Sequence, residues 1–213
     1  MLSQFFHSFN PSVPGWLMMW LIAFFGLIAL AIAIERWIFI YVKSNVNPDL
    51  FAAEIRKLIT AGDFKRAIAL CKSAGERALP KVFLAALEEA DRREFVDFRT
   101  VQNAVDQATL ELIPELNKRT GYLAMLANVA TLTGLLGTIY GLIISFSAAG
   151  QAGGGAEQLA QGISLAMFTT LWGLVVAIPS IIVYTLINTK TNAIIDDIDE
   201  HSVKLINLLT GGK

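Results

Sequence analysis

The sequence predicts an all-α membrane protein with three transmembrane helices. Two of them are long and extend into the cytoplasm, and a small helical cytoplasmic insert accompanies them. Three observations predict this. The 213 residues are 54% hydrophobic and 16% charged, against about 45–50% apolar and about 25% charged in a soluble domain. Three stretches, residues 15–34, 122–149 and 163–188, contain no Asp, Glu, Lys or Arg. Residues 48–92 show helical spacing and no alternating strand pattern, so no strand is expected there.

The composition also excludes several functions. A net charge of −1 argues against a protein built to coat nucleic acid, which relies on excess basic charge. One cysteine, Cys71, cannot close an intrachain disulfide. With two histidines, His7 and His201, the chain has too few Cys/His ligands for such a zinc site, so neither a metal nor a cofactor is expected. The apolar stretches hold no Ser/His or Cys/His constellation, which argues against an enzyme.

The N-terminal residues 1–14 precede the first span, 15–41. A helix rises about 1.5 Å per residue, so roughly 20 apolar residues cross a hydrocarbon core of about 30 Å. A signal peptide would begin with basic residues and end in a small-residue cleavage site. Here no Lys or Arg precedes Arg36, and Glu35-Arg36-Trp37 follows the apolar run. Glu35 and Arg36 are expected to snorkel to the membrane surface.

Residues 42–121 read as a helical cytoplasmic domain. Asn47-Pro48-Asp49 starts a helix, with Pro early and an acid in the first turn. Phe51, Ile55, Leu58 and Ile59 repeat at helical spacing, and Ala61-Gly62-Asp63 stops that helix and starts another. A third begins near Pro80. From Phe95 to Arg119 one long polar helix is expected to run into the second span, bending at Pro114.

The second span (122–149), a Gly-rich loop (150–162) and the third span (163–188) form a helix hairpin. The amphipathic tail 189–213 follows, with Ile194, Ile198, Leu205 and Leu208 opposite Asp196, Asp197 and Asp199. The loop at 150–162 lacks the Lys and the setting of a phosphate-binding loop. Basic residues set the orientation. Of 17 Lys and Arg, thirteen lie between Lys43 and Arg119 and three follow the third span, with none in 150–162. The positive-inside rule then puts 42–121 and 189–213 in the cytoplasm. It puts the N-terminus and the Gly-rich loop in the periplasm of a bacterial inner membrane.

The informative residues lie within the second and third spans. Thr131, Gly134, Thr138, Gly141 and Ser145 share one helix face, with Gly137 beside it. In the third span Gly162, Ala166, Thr169, Thr170, Gly173, Ala177, Ser180 and Tyr184 do the same. Two readings stay open. Small residues let helices approach closely in lipid, which fits Gly134, Gly137, Gly141, Gly173 and Ala177. Repeated hydroxyls also suit a water- or ion-lined face. Pro179 removes one helix hydrogen bond, as a hinge or as a tolerated membrane proline. A proton path needs an ionisable group at mid-membrane, and these two spans hold no acid. Either the chain moves no ions, or a partner supplies the carboxylate.

The strings TLTGLLGTIYGLI and GLVVAIPSIIVY resemble the ExbB/TolQ proteins, the ion-channel subunits of the MotA/TolQ/ExbB superfamily. The resemblance covers nearly the whole plan. It implies a homopentamer whose second and third helices line a pore. That pore holds an ExbD/TolR-like single-span partner carrying a titrating Asp, which passes work to a TonB/TolA-like or other periplasmic client. It implies that Thr138 and Thr170 face the ion path; the hydroxyl-bearing faces add Thr169, Ser145 and Tyr184 along it. One position departs from the pattern: where many ExbB proteins carry a third-span glutamate, this chain has Leu165. The partner's acid is then the titrating group. The alternative is a passive membrane scaffold that packs helices through its small-residue faces and moves no ions.

Overall fold

The computed structural model describes residues 16–44, 46–92, 97–150 and 156–211. The predicted N-terminal segment 1–14 lies outside them, as do loop residues 151–155. Among the described residues every regular element is helical. The order is α1 (Trp16–Ile38), a π-helical turn (Phe39–Lys43), α2 (Pro48–Thr60), α3 (Phe64–Ser73), α4 (Ala78–Asp91), α5 (Phe98–Asn117), α6 (Thr120–Ala149) and α7 (Ala156–Leu209). Three helical stretches are long and apolar enough to cross a membrane.

The chain divides into two compact units. The first contains α1 up to Glu35, then α6 and the α7 residues up to Leu186. Its outward residues are large and apolar, among them Leu27, Leu30, Leu132 and Ile143. Such apolar side chains suit bilayer lipid, which offers no hydrogen-bond partners. Residues on the inside are mostly small: Ala29, Ala127, Ala130, Ala166 and Ala177 are buried.

The second unit runs from Arg36 to Lys118 and resumes at Ile187. Local chemistry sets its helix ends. The Asn47 side chain accepts from the Leu50 N–H at 3.3 Å with Pro48 in the first turn, and Asp63 accepts from the Arg66 N–H at 3.1 Å. Each supplies a partner for a backbone donor that the first turn leaves open. Between them Gly62 takes φ +76°, a left-handed turn that suits Gly. α4 begins at Ala78, two residues before the expected Pro80. It packs against both α3 and α5, and α2 packs against α3. Val82, Phe83 and Leu87 of α4 are fully buried, each contributing about 1.5–3 kcal/mol of transfer free energy. Ile194, Ile198 and Leu205 of α7 are buried here, while Asp196, Asp199 and Glu200 are exposed and Asp197 is half-buried. That is the division expected of the amphipathic stripe.

Three expectations need correction. The long polar helix does not run on into the second span. It contains Pro114 and ends at Asn117, and Arg119 at φ +61° separates it from α6. The reason is tertiary. The Arg36 guanidinium donates to Leu116 O and, at 3.4 Å, to Glu115 O, carbonyls that a helix end leaves without partners. Arg36 therefore does not snorkel. It is 3% exposed, with its guanidinium 4.5 Å over the Phe39 ring. Glu35 instead receives two hydrogen bonds from Arg119, at 2.7 and 2.8 Å. Lastly, the third long helix starts at Ala156 and not at 163, so the last seven residues of the expected loop are helical. Their sequence, AEQLAQG, is rich in helix formers.

Candidate functional site: the seam between α6 and α7

The two small-residue faces meet within the first unit. A Cβ placed on Gly173 would sit 2.7 Å from Ala130 O and 3.2 Å from Gly134 Cα. One on Gly134 would sit 2.9 Å from Thr169 O. At this level the helices touch backbone to backbone, which only glycine on both sides allows. The approach continues along the seam. Gly137 leaves room for the Thr169 side chain, Gly141 for the Ala166 methyl, and Gly162 for the Ser145 hydroxyl. Ala177 is buried on the same helix, 2% exposed.

The hydroxyls are anchored to carbonyls. Ser145 Oγ donates to Gly141 O at 2.7 Å and is buried. Thr169 Oγ1 donates to Ala166 O at 2.7 Å and lies 3.2 Å from Gly134 O. Thr170 Oγ1 donates across the seam to the same Gly134 O at 3.1 Å. Thr138 Oγ1 donates to Leu135 O at 2.6 Å and is half-buried. A hydroxyl has one proton and two lone pairs. With the protons committed to backbone, the seam offers lone pairs, and it accepts from a passing donor more readily than it donates.

The structure separates the predicted residues into two groups. Thr169 and Ser145, expected along an ion path, are buried between α6 and α7 of the same chain. Thr138, Thr170 and Tyr184 are half-buried. Pro179 is exposed, and α7 is helical on both sides of it. The side chain of Leu165 lies outside the described residues. Unforeseen from the sequence, α1 joins this unit through a glycine, Gly26. A Cβ on Gly26 would sit 3.1 Å from Val176 Cγ2 of α7. A lone Gly within an apolar run is the signal that was available.

Comparison with known proteins identifies the family. Residues 74–200 match the model of the MotA/TolQ/ExbB proton channel family. The chain is 35% identical to the biopolymer transport protein ExbB of Aquifex aeolicus over 109 residues, 51% of this chain and 72% of that protein. It is 32% identical over 163 residues to an ExbB-like biopolymer transport protein of Synechocystis, 74% of each chain. The Tol-Pal system protein TolQ of Haemophilus influenzae is 29% identical over 125 residues, 55% of each chain. With the three apolar helices, the match makes this a membrane protein, and the chain belongs to the MotA/TolQ/ExbB proton channel family.

Proposed function

We propose that this chain is the channel-type subunit of an inner-membrane motor. It couples the proton-motive force to work through an ExbD/TolR-like partner that supplies the titrating Asp. The chain assembles as a homopentamer around that partner, with residues 42–121 and 189–213 in the cytoplasm and 150–162 in the periplasm. Work passes to a TonB/TolA-like or other periplasmic client. The observation that carries this reading is the seam: α6 and α7 contain hydroxyls but no acid between Tyr122 and Asn188 apart from Glu157 in the first turn of α7.

The hydrogen-bond directions sharpen the mechanism. Thr138 and Thr170 both give their protons to backbone carbonyls. In that arrangement they accept a hydrogen bond from a protonated carboxyl and offer none to a carboxylate. The threonines therefore favour the neutral acid, the form that lipid tolerates. Magnitudes support hydroxyls over a fixed cation. One charge crossing about 100 mV releases about 2.3 kcal/mol. A hydroxyl–carboxyl hydrogen bond is worth about 0.5–1.5 kcal/mol net, which that drive overcomes. Breaking a buried ion pair costs about 3–5 kcal/mol, which would trap the moving part.

The burial of Thr169 and Ser145 favours a second reading, the passive scaffold, in which every seam hydroxyl serves packing. Proton uptake into liposomes separates the two. The chain with its single-span partner conducts, and the chain alone does not. Thr138→Val with Thr170→Val lowers the flux at least about tenfold while the complex still assembles, and Thr138→Ser with Thr170→Ser retains it. Conduction by the chain alone, or unchanged flux in the double valine variant, overturns the proposal.

A further inference from the structure

A cavity of about 180 Å³ lies within the second unit, between α2, α4 and the end of α7. Phe83 and Leu205 give it an apolar wall. Arg56, His201 and Lys204 give it basic groups, and Asp49 a single acid. The His201 side chain is 7% exposed, and its Nε2 is 3.6 Å from Asp49 Oδ1, beyond hydrogen-bond length. No hydrogen bond engages the His201 ring among the described residues. Arg56 has no ion pair among them either, while Lys204 pairs with Glu200. The ring lines the cavity and its nitrogens are not sealed off from it, so a ligand that enters can meet them.

We propose that this cavity is a binding site for a small monocarboxylate with an apolar body. The carboxylate is held by the Arg56 guanidinium and the His201 ring, and the apolar body lies on Phe83 and Leu205. Three features select that ligand. The guanidinium fork matches a carboxylate. The volume greatly exceeds one water and falls short of the ~300–1,000 Å³ of a drug-sized pocket, so a nucleotide is too large. The apolar wall has no counterpart on an inorganic anion, and Asp49 disfavours a doubly charged one. This site stands independently of the proposed motor function.

The test is a ligand-observed NMR titration of the full chain in detergent, using four probes: hexanoate, N-acetyl-leucine, inorganic phosphate and hexanol. Hexanoate stands for a free carboxylate and N-acetyl-leucine for a peptide C-terminus. Saturable binding of either supports the site and identifies the source. Arg56→Gln weakens the binding at least fivefold. Asp49→Asn tightens it, because a like charge is removed. That opposite sign is one that general loss of structure does not produce. Unchanged thermal midpoints establish that both variants fold. Three results each overturn the proposal: no saturable binding of either carboxylate, phosphate or hexanol binding as tightly as hexanoate, or Arg56→Gln and Asp49→Asn moving affinity in the same direction.

Discussion

Replacing Gly173 with Ala adds one methyl group where the second and third apolar helices run closest. That methyl would lie 2.7 Å from Ala130 O, while ordinary contact begins near 3.4 Å, a shortfall of 0.7 Å. The obstacle is backbone, so no side chain can swing aside. Either α6 and α7 separate or both bend. Overpacking of this kind costs about 1–3 kcal/mol. Separation also lengthens the 3.1 Å hydrogen bond from Thr170 to Gly134 O, worth about 1 kcal/mol. Against this, Ala stabilises a helix by about 0.5–1 kcal/mol over Gly. The net expectation is a loss of about 1–3 kcal/mol. Gly121→Ala is the control. It lies on α6 with nothing within 4 Å of an added Cβ, so the propensity term acts alone and no loss is expected. Reversible unfolding in mixed micelles measures both. A Gly173→Ala variant as stable as the parent would refute the close-contact argument.

Other perturbations have expected outcomes. Arg36→Gln removes a buried charged donor from Leu116 O and Glu115 O. It should destabilise the protein by about 2–3 kcal/mol, read as a lower thermal midpoint. Glu35→Gln, by contrast, breaks a half-exposed pair with Arg119. Its effect should stay within about 1 kcal/mol and shrink as salt rises. Burial pushes the Cys71 thiol from 9.0 up to about 12. Maleimide should therefore label it about a thousandfold more slowly near pH 8 than after denaturation. The same shift sets a stability trend: above about pH 9 the unfolded thiol ionises and the folded one does not. Stability should therefore fall as pH rises from about 9 toward 12, and Cys71→Ser should flatten that slope.

Much of the fold is written in local signals. The apolar runs carry α1, α6 and α7. Asn47 and Asp63 mark the starts of α2 and α3 because capping involves residues three apart in sequence. The spacing of Gly134, Gly137, Gly141 and Gly173 put them on the faces that meet. What stayed hidden depends on distant partners. The end of α5 at Asn117 reflects a guanidinium from residue 36, and no window around Pro114 contains that information. The start of α7 at Ala156 was obscured because a Gly-rich segment masks the helix formers that follow it. At the seam, sequence spacing placed the hydroxyls but not the direction of their protons. Direction depends on which carbonyl lies nearest, and only the packed helices determine that.

The grip of Arg36 on Leu116 O joins groups 80 residues apart. During synthesis the cation therefore emerges long before its acceptor. A nascent chain arrested short of α5 holds a guanidinium that has to stay hydrated until those carbonyls arrive. Closing so large a loop adds only a modest entropic penalty, because the penalty grows with the logarithm of length. The delay is thus one of timing more than of energy. Chains truncated before α5 would lack the two carbonyl acceptors that Arg36 holds in the finished subunit.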